Sequence, residues 1–224
     1  GYVINLINVP TALAQAISMS LVPAVSAGMA RRDWRTVRNQ SRTGLRMSFI
    51  IGLPCSVGMS MLAREILTLI YRFPTREALT QTAELLSLSS YTIVLFTVVQ
   101  ATSGILQGLR KQRIPMYTLL LGVALKILMN YNLIGIREIN IYGAPLGSLV
   151  CYLVSMLPNL YYVHKYAHLP YDFTNILFKP LAATAAMGAV IYGLQQLLPS
   201  SRLVTILLIL AGIVSYAGFG LLFG

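Results

Sequence analysis

IPMYTLLLGVALKILMNYNLI, residues 114–134, decides the fold class. The run is apolar almost throughout. At about 1.5 Å per residue it spans the roughly 30 Å hydrocarbon core of a bilayer. One cation, Lys126, stands near its middle, with Gly122 one turn before it and Asn130 one turn after it. Positions i and i+4 share a helix face, so the three line up. A lysine at that depth costs at least about 2.5 kcal/mol. Two readings compete: the face borders water or an anion, or the lysine stem reaches back to the headgroups. Ile114 lies about 18 Å back along the axis, beyond the stem, while the nearer end at Gly135 keeps the second reading open. Intramembrane ionisable residues mark function by default, which favours a cavity.

The rest of the chain repeats the pattern. Of its 224 residues, 56% are hydrophobic and only 10% charged, with a mean hydropathy of +0.71. Soluble domains carry about 25% charged residues. The composition predicts an all-α polytopic transmembrane bundle of about seven membrane-spanning helices. A net charge of +11 invites a nucleic-acid partner. The arginines and lysines, however, sit in short segments between apolar runs, the pattern of the positive-inside rule and of anionic membrane lipids. No nucleic-acid partner is expected. Cys55 and Cys151 fall inside apolar runs and read as small core residues. No phosphate-binding glycine loop, HExxH or Ser/His/Asp constellation occurs in a loop large enough to hold a site. No enzyme activity, cofactor or metal is expected. His164 and His168 have a metal-compatible i,i+4 spacing but no third ligand nearby.

In order, the apolar spans are 2–30, 43–61, 83–109, 114–134, 141–166, 176–197 and 203–223. In the first, Asn8, Thr11, Gln15 and Ser18 form one polar stripe, and Pro10 and Pro23 predict kinks. The stripe either faces a hydrophilic cavity or bonds to neighbouring helices. RRDWRTVRNQSRTGLR, residues 31–46, is strongly basic and predicts a cytoplasmic interfacial helix with Trp34 at headgroup level. Arg46, a turn or two inside the second span, is a candidate for the cavity mouth. Residues 63–84 are mixed in charge and read as an outside loop, as does 135–140. Gln100, Gly104 and Gln107 share a face near the inner end of the third span, and the basic turn 110–113 follows it. The fifth span opens on the small residues YGAPLGS. It closes on Tyr161, Tyr162 and Tyr166, an interface belt.

Four stretches carry a family resemblance: NVPTALAQAISMSLVPAVSAGMAR (8–31), IIGLPCSVGMSMLAREILTLIY (50–71), ILQGLRKQRIPMYTLLLGVALKILMNYNLI (105–134) and INIYGAPLGSLVCYLVSMLPNL (139–160). In order along the chain they resemble the multidrug/oligosaccharidyl-lipid/polysaccharide (MOP) exporter superfamily. The likeness is to its polysaccharide-biosynthesis branch, near stage V sporulation protein B, with the lipid II flippases as relatives. Glu65 departs from the pattern, which has a proline there.

The resemblance implies a two-lobed transporter of which this chain is the C-terminal lobe minus its first helix. Residues 1–167 would be the rest of the transport bundle, 168–224 two additional helices, and the missing N-terminal lobe a partner. It implies flipping of a lipid-linked oligosaccharide or peptidoglycan precursor across the bacterial cytoplasmic membrane by alternating access. A pyrophosphate needs cations in a polar cleft, which Lys126 and Arg46 supply. The expected cavity residues are Lys126, Asn130, Gly122, Arg46, Gln15, Ser18, Gln100 and Gln107. Two alternatives stand: a cation-coupled multidrug antiporter, which would want acidic residues that the spans lack, and a non-transporting membrane scaffold for cell-envelope synthesis.

Overall fold

A computed structural model describes residues 2–71, 73–134, 142–169, 174–197 and 202–223. The helices are α1 (Tyr2–Ala30), α2 (Trp34–Met61), α3 (Ala63–Ile70), α4 (Arg76–Gly108), α5 (Arg113–Ile134), α6 (Gly143–Ala167), α7 (Lys179–Leu197) and α8 (Arg202–Phe223). No strand occurs among the described residues. Seven of these eight α-helices are long and apolar enough to cross a membrane; α3 is too short, and a single π-turn, Thr174–Phe178, leads into α7. The expected loop 135–140 lies outside the described residues.

Three boundaries differ from the sequence reading. The basic segment is not a separate interfacial helix: α2 starts at Trp34 and runs unbroken into the membrane span. Asp33 explains the start, because its carboxylate accepts from the backbone N–H groups of Arg35 and Thr36 at 3.1 Å each, a helix N-cap. The mixed-charge stretch is not one loop but α3 followed by the first turns of α4. Thr75 starts α4 by accepting from the Ala78 N–H, and Pro74 lies just before it. Residue 168 lies beyond α6 in the left-handed region at φ 50°, so His164 and His168 do not share a continued helix face. The His168 ring instead meets the edge of Trp34, 5.6 Å between centroids. No group of three metal-binding side chains occurs among the described residues.

α4 is the central column. Small residues let its neighbours approach. A Cβ on Gly104 would lie 2.6 Å from the Ser18 carbonyl of α1, and one on Gly108 would lie 2.7 Å from Val25 Cβ. Gly52 of α2 meets Thr97 and the Val94 backbone. α6 covers the remaining side, with Phe96 against Tyr152 at 5.4 Å. α5 is held chiefly by α6 and leaves large apolar side chains such as Leu120, Ile127 and Leu128 exposed. α7 and α8 pack on each other and against α2 and α3, around Leu62, Met187, Ile191 and Leu208.

Two similar turns close one end. After α1, the Asp33 N–H bonds the Gly28 carbonyl and the Arg32 N–H the Met29 carbonyl, with Arg32 at φ 55°. After α4, the Lys111 N–H bonds the Leu106 carbonyl and the Arg110 N–H the Gln107 carbonyl, with Arg110 at φ 58°. Both are Schellman caps, which place the left-handed residue where glycine is usual. The turns are neighbours, since Ser26 Oγ donates to the Gly108 carbonyl at 3.2 Å. The end of α6 joins them, with Lys111 Nζ 5.0 Å from the Tyr166 ring centre. The basic segments 31–42 and 110–113 thus share one end of the bundle. Tyr2, Tyr71 and Phe73 cluster at the other.

Positive-inside asymmetry predicts that the basic end is cytoplasmic. Membrane-impermeant thiol labelling of intact cells should therefore reach a cysteine introduced at position 78 and miss one at position 36. The reverse pattern would invert the assignment. The Asp33 cap carries its own expectation. Hydrogen bonds from the Thr36 hydroxyl and backbone hold this exposed carboxyl below its usual range. A folded-state pKa below the unfolded one means stability present above the unfolded pKa and lost as pH falls through the lowered one. Asp33→Asn, which cannot titrate, should flatten the loss of thermal stability between about pH 5 and pH 3.

Candidate functional site

Helices α1, α4, α5 and α6 line an open cavity of about 470 Å³, within the usual range for small-ligand sites, about 300–1,000 Å³. Val3, Ile4, Ile7 and Phe96 supply its apolar lining. Its polar lining comes from Asn8, Thr11 and Gln15 of α1, Ser89 and Thr92 of α4, Ser148 and Tyr152 of α6, and Lys126 of α5. Lys126 is the one cation among these lining residues, and no carboxylate accompanies it. The arrangement suits an anion flanked by hydroxyl groups. The ammonium supplies charge and the amides supply donors, while the Thr11, Thr92 and Ser148 hydroxyls, each donating to a carbonyl of its own helix, offer acceptor lone pairs in a region where water is scarce.

The expected site residues separate into two groups. Gln15 and Lys126 line the cavity, together with Asn8 and Thr11 of the same stripe. The others lie elsewhere. Ser18, one turn further along the stripe, packs on Gly104, where α1 and α4 touch. Gly122 faces α6: a Cβ there would lie 2.6 Å from the Cys151 carbonyl and 2.7 Å from Ser155 Oγ. Asn130 also faces α6, against Gly147, and its Oδ1 is buried without a hydrogen-bond partner among the described residues. Gln100 and Gln107 lie on α4 nearer the basic turn, Gln107 exposed. Arg46 belongs to α2, a helix absent from the lining, and its Nε is buried without a partner among the described residues. The reason is geometric. The face shared by Gly122, Lys126 and Asn130 is the α5–α6 seam, and only the long lysine side chain passes from it into the cavity. Gly147 makes room for that passage, since a Cβ there would come within 3.3 Å of Lys126 Cγ.

The sequence reading missed Ser89, Thr92 and Phe96 of α4 and Ser148 and Tyr152 of α6. Both sets have helical spacing that marks a face, but each is mixed with serines and threonines that bond their own backbone, such as Ser90 to the Leu86 carbonyl. Gly122→Ala tests the seam. The added methyl strikes backbone on α6, so protein abundance should fall by the order expected of overpacking, about 1–3 kcal/mol. A cavity role would instead lower transport at unchanged abundance.

Comparison with known proteins now adds to this geometry. The family model described as lipid II flippase MurJ matches residues 5–212. The chain belongs to the lipid II flippase MurJ family. It is 27% identical over 201 residues to the lipid II flippase MurJ of Bacillus subtilis (strain 168), covering 88% of this chain and 36% of that protein. It is 26% identical over 159 residues to a protein described as a probable lipid II flippase MurJ of Aquifex aeolicus (strain VF5), covering 68% of this chain and 30% of that one. The chain thus spans about a third of the length of these MurJ relatives. A solved MurJ structure in an inward closed conformation superposes with a TM-score of 0.76 at 18% identity, over 99% of this chain and 46% of that one, which shows a shared fold. Membership of the MurJ family and the seven apolar helices make this a multi-pass protein of the bacterial cytoplasmic membrane.

Proposed function

We propose that this chain is one lobe of a flippase that carries a lipid-linked peptidoglycan precursor across the membrane, with Lys126 receiving the pyrophosphate. The observation that carries the reading is Lys126 in a cavity whose other polar groups are hydroxyls and amides. That lining matches a diphosphate joined to a sugar better than a cationic drug, which would require a carboxylate. The lipid tail would remain among apolar helix surfaces. The chain's length against its relatives supports a partner lobe formed by sequence outside it. We assign residues 1–167 to the transport bundle of a C-terminal lobe lacking its first helix, and 168–224 to two added helices. The finer placement near stage V sporulation protein B rests on the four quoted sequence stretches. The lobes would rock to open the cavity to each side in turn, and the basic end would rest on anionic lipids. The test is complementation of a strain depleted of its lipid-linked-precursor flippase by the full-length protein with changes at Lys126, abundance being followed in parallel. Complementation that ignores the charge at 126 would defeat the reading and leave the scaffold alternative.

A further inference from the structure

The α7–α8 pair meets α2 at the two places where that helix cannot satisfy its own backbone. Pro54 has no N–H, so the carbonyl of Ile50 loses its i+4 donor. Tyr216 of α8 fills the vacancy, its hydroxyl donating to the Ile50 carbonyl at 2.9 Å. α2 ends at Met61, so the carbonyls of its last turn lose their helical donors. Gln195 of α7 donates its Nε2 to the Met61 carbonyl at 3.3 Å and to Glu65 Oε1 of α3 at 3.1 Å. Eleven residues, close to three turns, separate the two carbonyls, so they lie near one face of α2. An open carbonyl inside a membrane has no water to turn to.

We infer that α7–α8 is a clasp that holds α2 in its proline-interrupted form through hydrogen bonds to the Ile50 and Met61 carbonyls. The clasp is specific to backbone that only a proline or a helix end leaves open, which general apolar packing would not be. Any motion that straightens α2 or shifts it along α7 must first release these two donors. This inference does not depend on what the cavity binds.

The chain's own thiols report on the clasp. Cys55 follows Pro54 at the interruption of α2 and is partly buried. Cys151 lies in the α5–α6 seam and serves as the control. In detergent-solubilised full-length protein, Tyr216→Phe should speed N-ethylmaleimide labelling of Cys55 about tenfold, the change expected when a partly buried carbonyl loses its donor. Labelling of Cys151 should not change. Gln195→Leu should speed Cys55 labelling as well, because both contacts hold one hairpin. The decisive arm is Pro54→Ala, which returns an N–H to the Ile50 carbonyl. In that background Tyr216→Phe should alter the rate by less than about twofold. An equal effect in both backgrounds would make Tyr216 a packing residue and overturn the clasp. So would a Tyr216→Phe variant that labels like the parent.

Discussion

Lys126→Ala in the full-length protein should abolish flipping while leaving membrane insertion and abundance near those of the parent. The two halves of this expectation have opposite origins. For folding, the lysine is a cost, since it brings a charge to mid-bilayer, and its removal relieves at least about 2.5 kcal/mol of that burden. For transport, it is the one cation among the residues lining the cavity. A charge-assisted contact to a phosphate contributes about 1.5–3 kcal/mol, or one to two decades in affinity. Lys126→Arg should retain part of the activity, because the charge stays but its compact, strongly hydrated form does not. Asn130→Ala should be mild: its Oδ1 has no partner among the described residues and faces Gly147 instead of the cavity. Growth of the depleted strain, read with immunoblots, separates these outcomes. Full growth on Lys126→Ala would show that the charge serves something other than substrate.

Gly104→Leu should show the opposite pattern, with protein lost from the membrane and no selective defect in what remains. Gly104 lies where α4 touches α1, and its missing Cβ would lie 2.6 Å from the main-chain carbonyl of Ser18 and 2.8 Å from that residue's hydroxyl. A main-chain atom in a helix cannot turn aside as a side-chain tip does. The helices must separate, and Ala101, Ile105 and Val98 around the contact are fully buried and have no slack. Overpacking of this kind costs about 1–3 kcal/mol, and leucine adds three further carbons. Immunoblotting of membranes and thermal unfolding in detergent would measure the loss. Normal abundance would mean that α1 and α4 are not pressed together as described.

The seven spans were legible because each is a solubility statement: a run of apolar residues bounded by charge allows little else. The polar stripe of α1 and the lysine of α5 were legible because helical spacing assigns residues to faces. Spacing does not say what a face meets. Gly122 and Asn130 share the face of Lys126, yet they serve the α5–α6 seam, because side-chain length decides which of the three reaches the cavity. The same limit hid Tyr152 and Ser148, which bonds the Ala144 carbonyl of its own helix just as Ser90, outside the lining, bonds that of Leu86. Trp34–Met61 was divided at the edge of its hydrophobicity, while the helix itself obeys the Asp33 cap.

Arg32 and Arg110 occupy left-handed positions that cost roughly 1–2 kcal/mol for a residue with a Cβ. Glycine at either position would ease the backbone and should raise the melting temperature. The same exchange deletes a positive charge from the end that the Lys/Arg bias directs to the cytoplasm. A selection for thermostability and a selection for correct insertion would therefore drive these two codons apart. A laboratory variant evolved only to survive heat would be expected to drift towards molecules that are sturdier and less certain which way up they belong.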